Sequence, residues 1–208
     1  MSVEIRDVAP GLWTWRLEHP DYRGDPEWDG MVTCTCVESG GEVAVLDPLE
    51  PPSPDDEVWR RLEARPPTLV VMLKPDHRRH EVSFVRRYSA RAHGPVLFFE
   101  GDAPEIPLEP IRRGDELPGG LRALWDGRGQ VETPLWLPEQ RALVFADGMT
   151  APGGELRIWD SPEHERWALP AFRAMLELPF EHVIVSHGEP VHHRAAFGRA
   201  LELPAWPD

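Results

Sequence analysis

The chain has 208 residues, 41% of them hydrophobic and 28% charged, a balance that supports a sizeable core in one domain over residues 1–208. Its formal net charge of -14 repels phosphate backbones and anionic lipid, so neither nucleic acid nor membrane is an expected partner. The longest apolar runs, LVVML and HVIVS, are far too short to span a bilayer, and MSVEIRDVAPGLW has neither a basic start nor an apolar h-region, so a cytoplasmic protein is expected.

In chain order, GLWTWRLEH alternates as a strand does. EHPDYRGDPEWDG, residues 18–30, is polar and turn-rich, a solvated loop by default and a substrate lid if it overhangs a site. MVTCTCVES and EVAVLDP, joined by Gly40 and Gly41, read as a hairpin. Cys34 and Cys36 fall on one face of its first strand and read as two small core residues rather than a metal or redox pair. SPDDEVWRRLEAR has Ser53 as N-cap, Pro54 next, acids in the first turn and basic residues in the last, which predicts a helix. TLVVML is a continuous apolar run, as in a strand covered on both faces. HRRHEVSFVRRYSAR follows as a helix and GPVLFFE as a strand, and LRALWD, TPLWLPE and RALVFAD read as three more strands. SPEHERWALPAFRAMLEL reads as a helix despite Pro170, HVIVSHG as a late strand and EPVHHRAAFGRALEL as a closing helix. The order is that of an α/β protein with both parallel and antiparallel strands, punctuated by many of the 24 prolines.

Chemistry in such sheets gathers at the carboxyl ends of strands. Three strand ends carry reactive residue types: VVML leads to Asp76, His77 and His80, LVFA to Asp147, and VIVS to His187. Imidazole and carboxylate are the ligands a borderline metal such as zinc prefers. Each residue also has a plainer reading. Asp76 reads equally as a helix N-cap, His80 as a helix-face residue, Asp147 as a turn cap and His187 as a backbone-bonded turn residue. His192 and His193 could bind metal adventitiously. Trp13, Trp15, Trp28, Trp125 and Trp136 lie in segments able to approach a cleft, though a packing role is the commoner one.

With these residues in this order, the chain resembles the metallo-β-lactamase fold superfamily over most of its length, from VAPGLW to VSHGEP. VLDP at Asp47 matches that family's early DP or DTG. KPDHRRH stands at its His-x-His-x-Asp-His signature, with Pro75 for the first His, His77 for the second, Arg79 for the Asp and His80 for the fourth ligand. Glu132 in VETP replaces a later His, Asp147 in FADG matches the bridging Asp, and His187 matches the last His. The resemblance implies an αββα sandwich, two facing mixed β-sheets with helices outside, and a degenerate metal site. It implies His77, His80, Asp147 and His187 as metal ligands, with Glu132 as a substitute, and Asp147 as a catalytic carboxylate. Asp76, directly before His77, is a further candidate catalytic carboxylate that could coordinate or orient it, and Arg79 is a candidate substrate-binding residue able to clamp a carboxylate or phosphate.

Arg79 has no lone pair to give. Pointed inward it would repel a cation and pair with Asp147; pointed outward it leaves room for one metal. Two functions follow. One is a hydrolase in which a single zinc or other divalent ion activates water against an ester, lactone, thioester or amide. The other is a metal-free pseudoenzyme that binds a small molecule in the old cleft. In both the partner is a small molecule, and either is compatible with a homodimer.

Overall fold

Side-chain alternation along the first strands decides the architecture. In β2 (Leu12–Glu18) and β3 (Met31–Ser39), Leu12 and Val37 pack in one buried cluster while Trp13, Trp15, Cys34 and Cys36 pack in another. β4 (Glu42–Leu46) divides in the same way, Ala44 and Leu46 against Val43 and Val45. A strand whose two faces are both apolar requires a layer on each side. The computed structural model supplies both layers, and describes residues 3–24, 30–98, 100–101, 103–129, 132–162 and 164–206. Trp28 and the centre of the 18–30 loop lie outside the described residues.

The first sheet has seven strands in chain order, from β1 (Glu4–Ala9) through β2, β3 and β4 to β5 (Leu69–Val71), β6 (Arg91–Gly94) and β7 (Glu109–Pro110). Its first four strands are antiparallel neighbours; β4 through β7 run parallel. The second sheet orders β14 (His182–Ile184), β11 (Ala142–Val144), β10 (Leu135–Leu137), β9 (Leu121–Ala123) and β8 (Glu116–Leu117). β14 joins β11 in parallel and the others are antiparallel. A short pair, β12 (Met149–Thr150) with β13 (Arg157–Ile158), follows β11 in sequence.

One core lies between the sheets, with Leu46, Leu69 and Val71 facing Leu135, Val144 and Ile184. Two more lie outside them. α1 (Glu57–Ala64) and α2 (Glu81–Tyr88) cover the first sheet through Val58, Trp59, Leu62 and Phe84. A π-helical turn at His164–Ala168, α3 (Leu169–Met175) and α4 (Arg194–Ala200) cover the second through Ala168, Phe172, Met175 and Phe197. This is the expected αββα sandwich of two mixed sheets with helices outside.

Local details depart from the sequence expectations. Asp56, not Ser53, caps α1, accepting the Val58 amide at 3.0 Å. α2 starts only at Glu81, so Asp76 is not its N-cap and residues 77–80 form an irregular approach instead. The strand expected at GPVLFFE lies earlier, at Arg91–Gly94, where backbone pairing with β5 outweighs the more apolar run that follows. Trp13 and Trp15 pack outward under the helices and Trp136 lies in the second outer core, so none of the three lines a cleft between the sheets. Cys34 and Cys36 are free, buried core residues, as read.

Candidate metal centre

Asp47 follows β4 in the left-handed backbone region, with φ 45°. That conformation is strained for most residues and less so for aspartate. It turns the carboxylate across the sheet: Oδ1 accepts the Leu73 amide at 2.8 Å and Oδ2 lies 2.7 Å from His77 Nδ1. A histidine fixed through Nδ1 presents Nε2, the arrangement that carboxylate partners impose on metal-binding imidazoles. His77 Nε2 points to Asp147 Oδ1 at 3.2 Å, and His187 Nε2 meets the same oxygen at 3.3 Å. Asp147 follows β11 and His187 follows β14, parallel neighbours whose carboxyl ends lie side by side.

Four interactions lock these strand ends together. The Thr33 amide donates to the Ser186 carbonyl at 2.8 Å, tying β3 to the loop that carries His187. The Ala151 amide donates to the His187 carbonyl at 2.8 Å. Trp159 lays its ring 6.3 Å from that of His187. Gly188 holds φ +139° with Ala151 pressed against the place of a Cβ, so a side chain there would push the His187 turn away.

The electrostatics centre on Asp147. Lys74 Nζ lies 2.6 Å from Asp147 Oδ2 and 2.7 Å from Asp76 Oδ2, with its side chain 14% exposed. Burial would raise the Asp147 carboxyl, but His77, His187 and Lys74 overcome this and hold it well below the usual carboxylate range. Burial would likewise depress His77; the Asp147 and Asp47 carboxylates push it up to about 9 instead. Lys74 is raised as well, its burial outweighed by Asp147 and Asp76. One oxygen of Asp147 therefore belongs to a lysine and the other to two imidazoles.

Of the residues expected as ligands, the structure brings together His77, Asp147 and His187, whose ligand atoms all lie within 4.8 Å of one another. Two of the edges, 3.2 and 3.3 Å, match the roughly 3.3 Å that separates ligand atoms about 2.0 Å from a tetrahedral zinc ion. Two imidazoles and a carboxylate suit a borderline divalent ion and leave one position open. The residues present fit a single metal.

His80 and Glu132 stand apart from this group. His80 Nδ1 accepts the Glu50 amide at 2.9 Å and serves the loop after β4. Glu132 is 2% exposed and its carboxylate is fully engaged. It accepts the amides of Ala146, Asp147 and Gly148 at 2.9, 2.9 and 2.5 Å, and Arg128 Nη2 at 2.7 Å. It shapes the turn that presents Asp147. Arg79 does not pair with Asp147 among the described contacts. It spans the two sheets, donating to the Asp47 carbonyl at 2.9 Å, the Thr33 carbonyl at 3.3 Å and Ser186 Oγ at 2.6 Å. Asp76, beside the lysine, is 45% exposed.

Sequence reading gave no role to Lys74, although a lysine ending a buried strand beside three candidate ligands is a visible signal. It placed Asp47 in a motif without a partner; the contact to His77 depends on the positive φ. His19 also lies near: burial holds its pKa below the usual histidine value, and Arg79, His77 and His187 add to this against Asp21. A surface pair, His182 Nδ1 and His192 Nδ1 at 3.1 Å, stands apart from the centre.

The chain is similar over nearly its whole length to solved metallo-β-lactamases. Against the enzyme from Pontibacter korlensis the identity is 15% and the TM-score 0.69, covering 98% of this chain and 100% of that one. Against the enzyme from Hirschia baltica the values are 17% and 0.68, with 97% of each chain covered. Against FIM-1 from Pseudomonas aeruginosa, described in a mono-zinc form, they are 16% and 0.67, with 97% and 96% covered. No protein-family model matches the sequence, nor does the sequence of any curated protein.

Proposed function

We propose that this chain, which has the metallo-β-lactamase fold, is a hydrolase with a single divalent metal ion held by His77, Asp147 and His187. The observation that carries the reading is the convergence of those three ligand atoms at the carboxyl ends of strands from both sheets. The mono-zinc form described for FIM-1, a neighbour in fold, supports a single ion as an occupancy that this scaffold can take. A divalent ion supplies acidity to coordinated water and polarisation to a carbonyl oxygen.

The protein's own residues do the rest. Asp47 keeps the His77 proton on Nδ1 and leaves Nε2 for the metal. Lys74 engages Asp147 Oδ2, so the carboxylate offers Oδ1 alone. Asp76, joined to the same lysine and open to solvent, is the carboxylate placed to accept a proton from the attacking water. The substrate class is a carbonyl compound: ester, lactone, thioester or amide. Protein reconstituted with one equivalent of zinc should turn over a member of such a panel, and His187→Ala should abolish turnover. Activity unchanged in that variant would refute the assignment.

Lys74 favours a second reading. Its ammonium and the His77 imidazole already neutralise Asp147, which would let the cleft hold its shape without a metal and act as a small-molecule binding site. Metal content separates the two.

A further inference from the structure

A second feature borders the centre. Between the β9–β10 loop and the π-helical turn lies a cleft of about 570 Å³, within the size range of small-molecule sites. Its walls include Trp125 and Trp167, ring centroids 6.4 Å apart and inclined at 57°. Trp167 is 45% exposed, one of three large hydrophobic side chains on the described surface. Each ring has a guanidinium over it, Arg113 at 4.5 Å on Trp125 and Arg166 at 4.9 Å on Trp167, which fixes the ring planes. The backbone is built for the approach. Gly127, at φ +80°, has the Trp167 carbonyl where a Cβ would stand, so only glycine lets the loop close on the turn. The π-helical turn that carries Trp167 is a rare form that occurs frequently at functional sites.

The cleft is linked to the candidate metal centre through intermediate residues. Arg128, one of its lining residues, binds Glu132 at 2.7 Å, and Glu132 accepts the Asp147 amide at 2.9 Å. Asp160, on the other side, follows Trp159, whose ring lies against His187. The charge of Arg128 is taken up by Asp126 at 2.8 Å and by Glu132, while Asp160 is exposed. Among its described lining residues the cleft thus offers aromatic faces, an acidic edge at Asp160, and one guanidinium, Arg128, that is already paired with carboxylates.

We infer that this cleft binds a planar, uncharged aromatic part of the substrate and holds the bond attached to it toward His77, Asp147 and His187. The inference rests on the hydrolase reading for its second half; the binding half stands on the cleft alone. The probe is 2-naphthamide, titrated into metal-free and zinc-loaded protein and followed by the indole N–H signals in NMR. Saturable binding is expected in both forms, with the shifts confined to the signals that Trp125→Ala and Trp167→Ala remove. Trp167→Ala should weaken binding roughly tenfold, and Trp167→Phe should recover most of it. The anion 2-naphthoate should bind more weakly than the amide, with Asp160→Asn narrowing the gap. No saturation, binding by both alanine variants unchanged from the parent protein, or a dimer closed over Trp167 that excludes the probe would overturn the inference. Hydrolysis keeps the two claims apart. Binding without turnover of naphthyl or ethyl esters removes the hydrolase and leaves the cleft. Turnover with an aryl-over-alkyl preference unchanged in Trp167→Ala removes the cleft and leaves the hydrolase.

Discussion

Asp147 is the residue on which the site turns, and its neighbours divide into those that offer it to a ligand and those that hold it still. Asp47 acts one step back, through His77 Nδ1 at 2.7 Å. Asp47→Asn keeps the size and removes the charge that orients the ring, so zinc affinity measured by competition with a chromophoric chelator should fall about 10–100-fold. Glu132 has the opposite character. Four donors converge on its carboxylate, and an amide in its place turns one side of that fork from acceptor to donor. Glu132→Gln should cost about 1–3 kcal/mol in denaturant unfolding while the folded protein keeps its metal. Loss of metal with unchanged stability would restore Glu132 as a ligand. The sequence separated these roles poorly. Residue type and position mark Glu132 and His80 as ligands as readily as His77, because spacing carries no information about which side chains are already taken by backbone amides.

At the scale of elements, long apolar runs and alternating strands were readable and short edges were not. The β3–β4 hairpin follows from Gly40 and Gly41, which take φ values of 55° and 83° in the turn. LVV in β5 is buried on both faces as its composition requires. β7, β8, β12 and β13 are two residues each, held by neighbours rather than by any pattern of their own, so periodicity could not find them. β6 brings a titration of its own. His93 on this strand is 6% exposed; burial holds its pKa below the usual histidine value, against Glu109 and with Arg91. The unfolded chain therefore takes up a proton that the folded strand resists, and stability from this group falls as pH drops below about 6.5. His93→Gln removes that contribution. Its loss of thermal midpoint between about pH 7.5 and about pH 5.5 should be smaller than that of the parent chain, and an equal loss would show that His93 does not titrate in this way.

Across the whole molecule, the site exists because two sheets meet with their strand ends aligned, and Arg79 is the clasp. Its guanidinium binds carbonyls at Thr33 and Asp47 in the first sheet and Ser186 beside the second. Lysine has one ammonium and no fork to reach all three. Arg79→Lys should lower the thermal midpoint by several degrees, the equivalent of about 1–3 kcal/mol, and broaden the signals of His77 and His187 together. The resemblance in the sequence carried the fold because the order of strands and strand-end residues survives at 14–17% identity to solved structures. It carried part of the candidate site: His77, Asp147 and His187 converge, while Glu132 and His80 bind backbone amides and Lys74 adds a positive charge beside Asp147. No described helix is long and apolar enough to cross a membrane.

The most direct measurement is metal stoichiometry by native mass spectrometry on untagged protein, wild type beside Asp147→Ala, with His192→Ala in both to break the surface histidine pair. A one-metal hydrolase predicts about one equivalent in the parent and none in the Asp147 variant, with both folded by circular dichroism. No metal in the parent, or the same content in both, would contradict it and leave Lys74 and the His77 imidazolium as the cations that Asp147 holds.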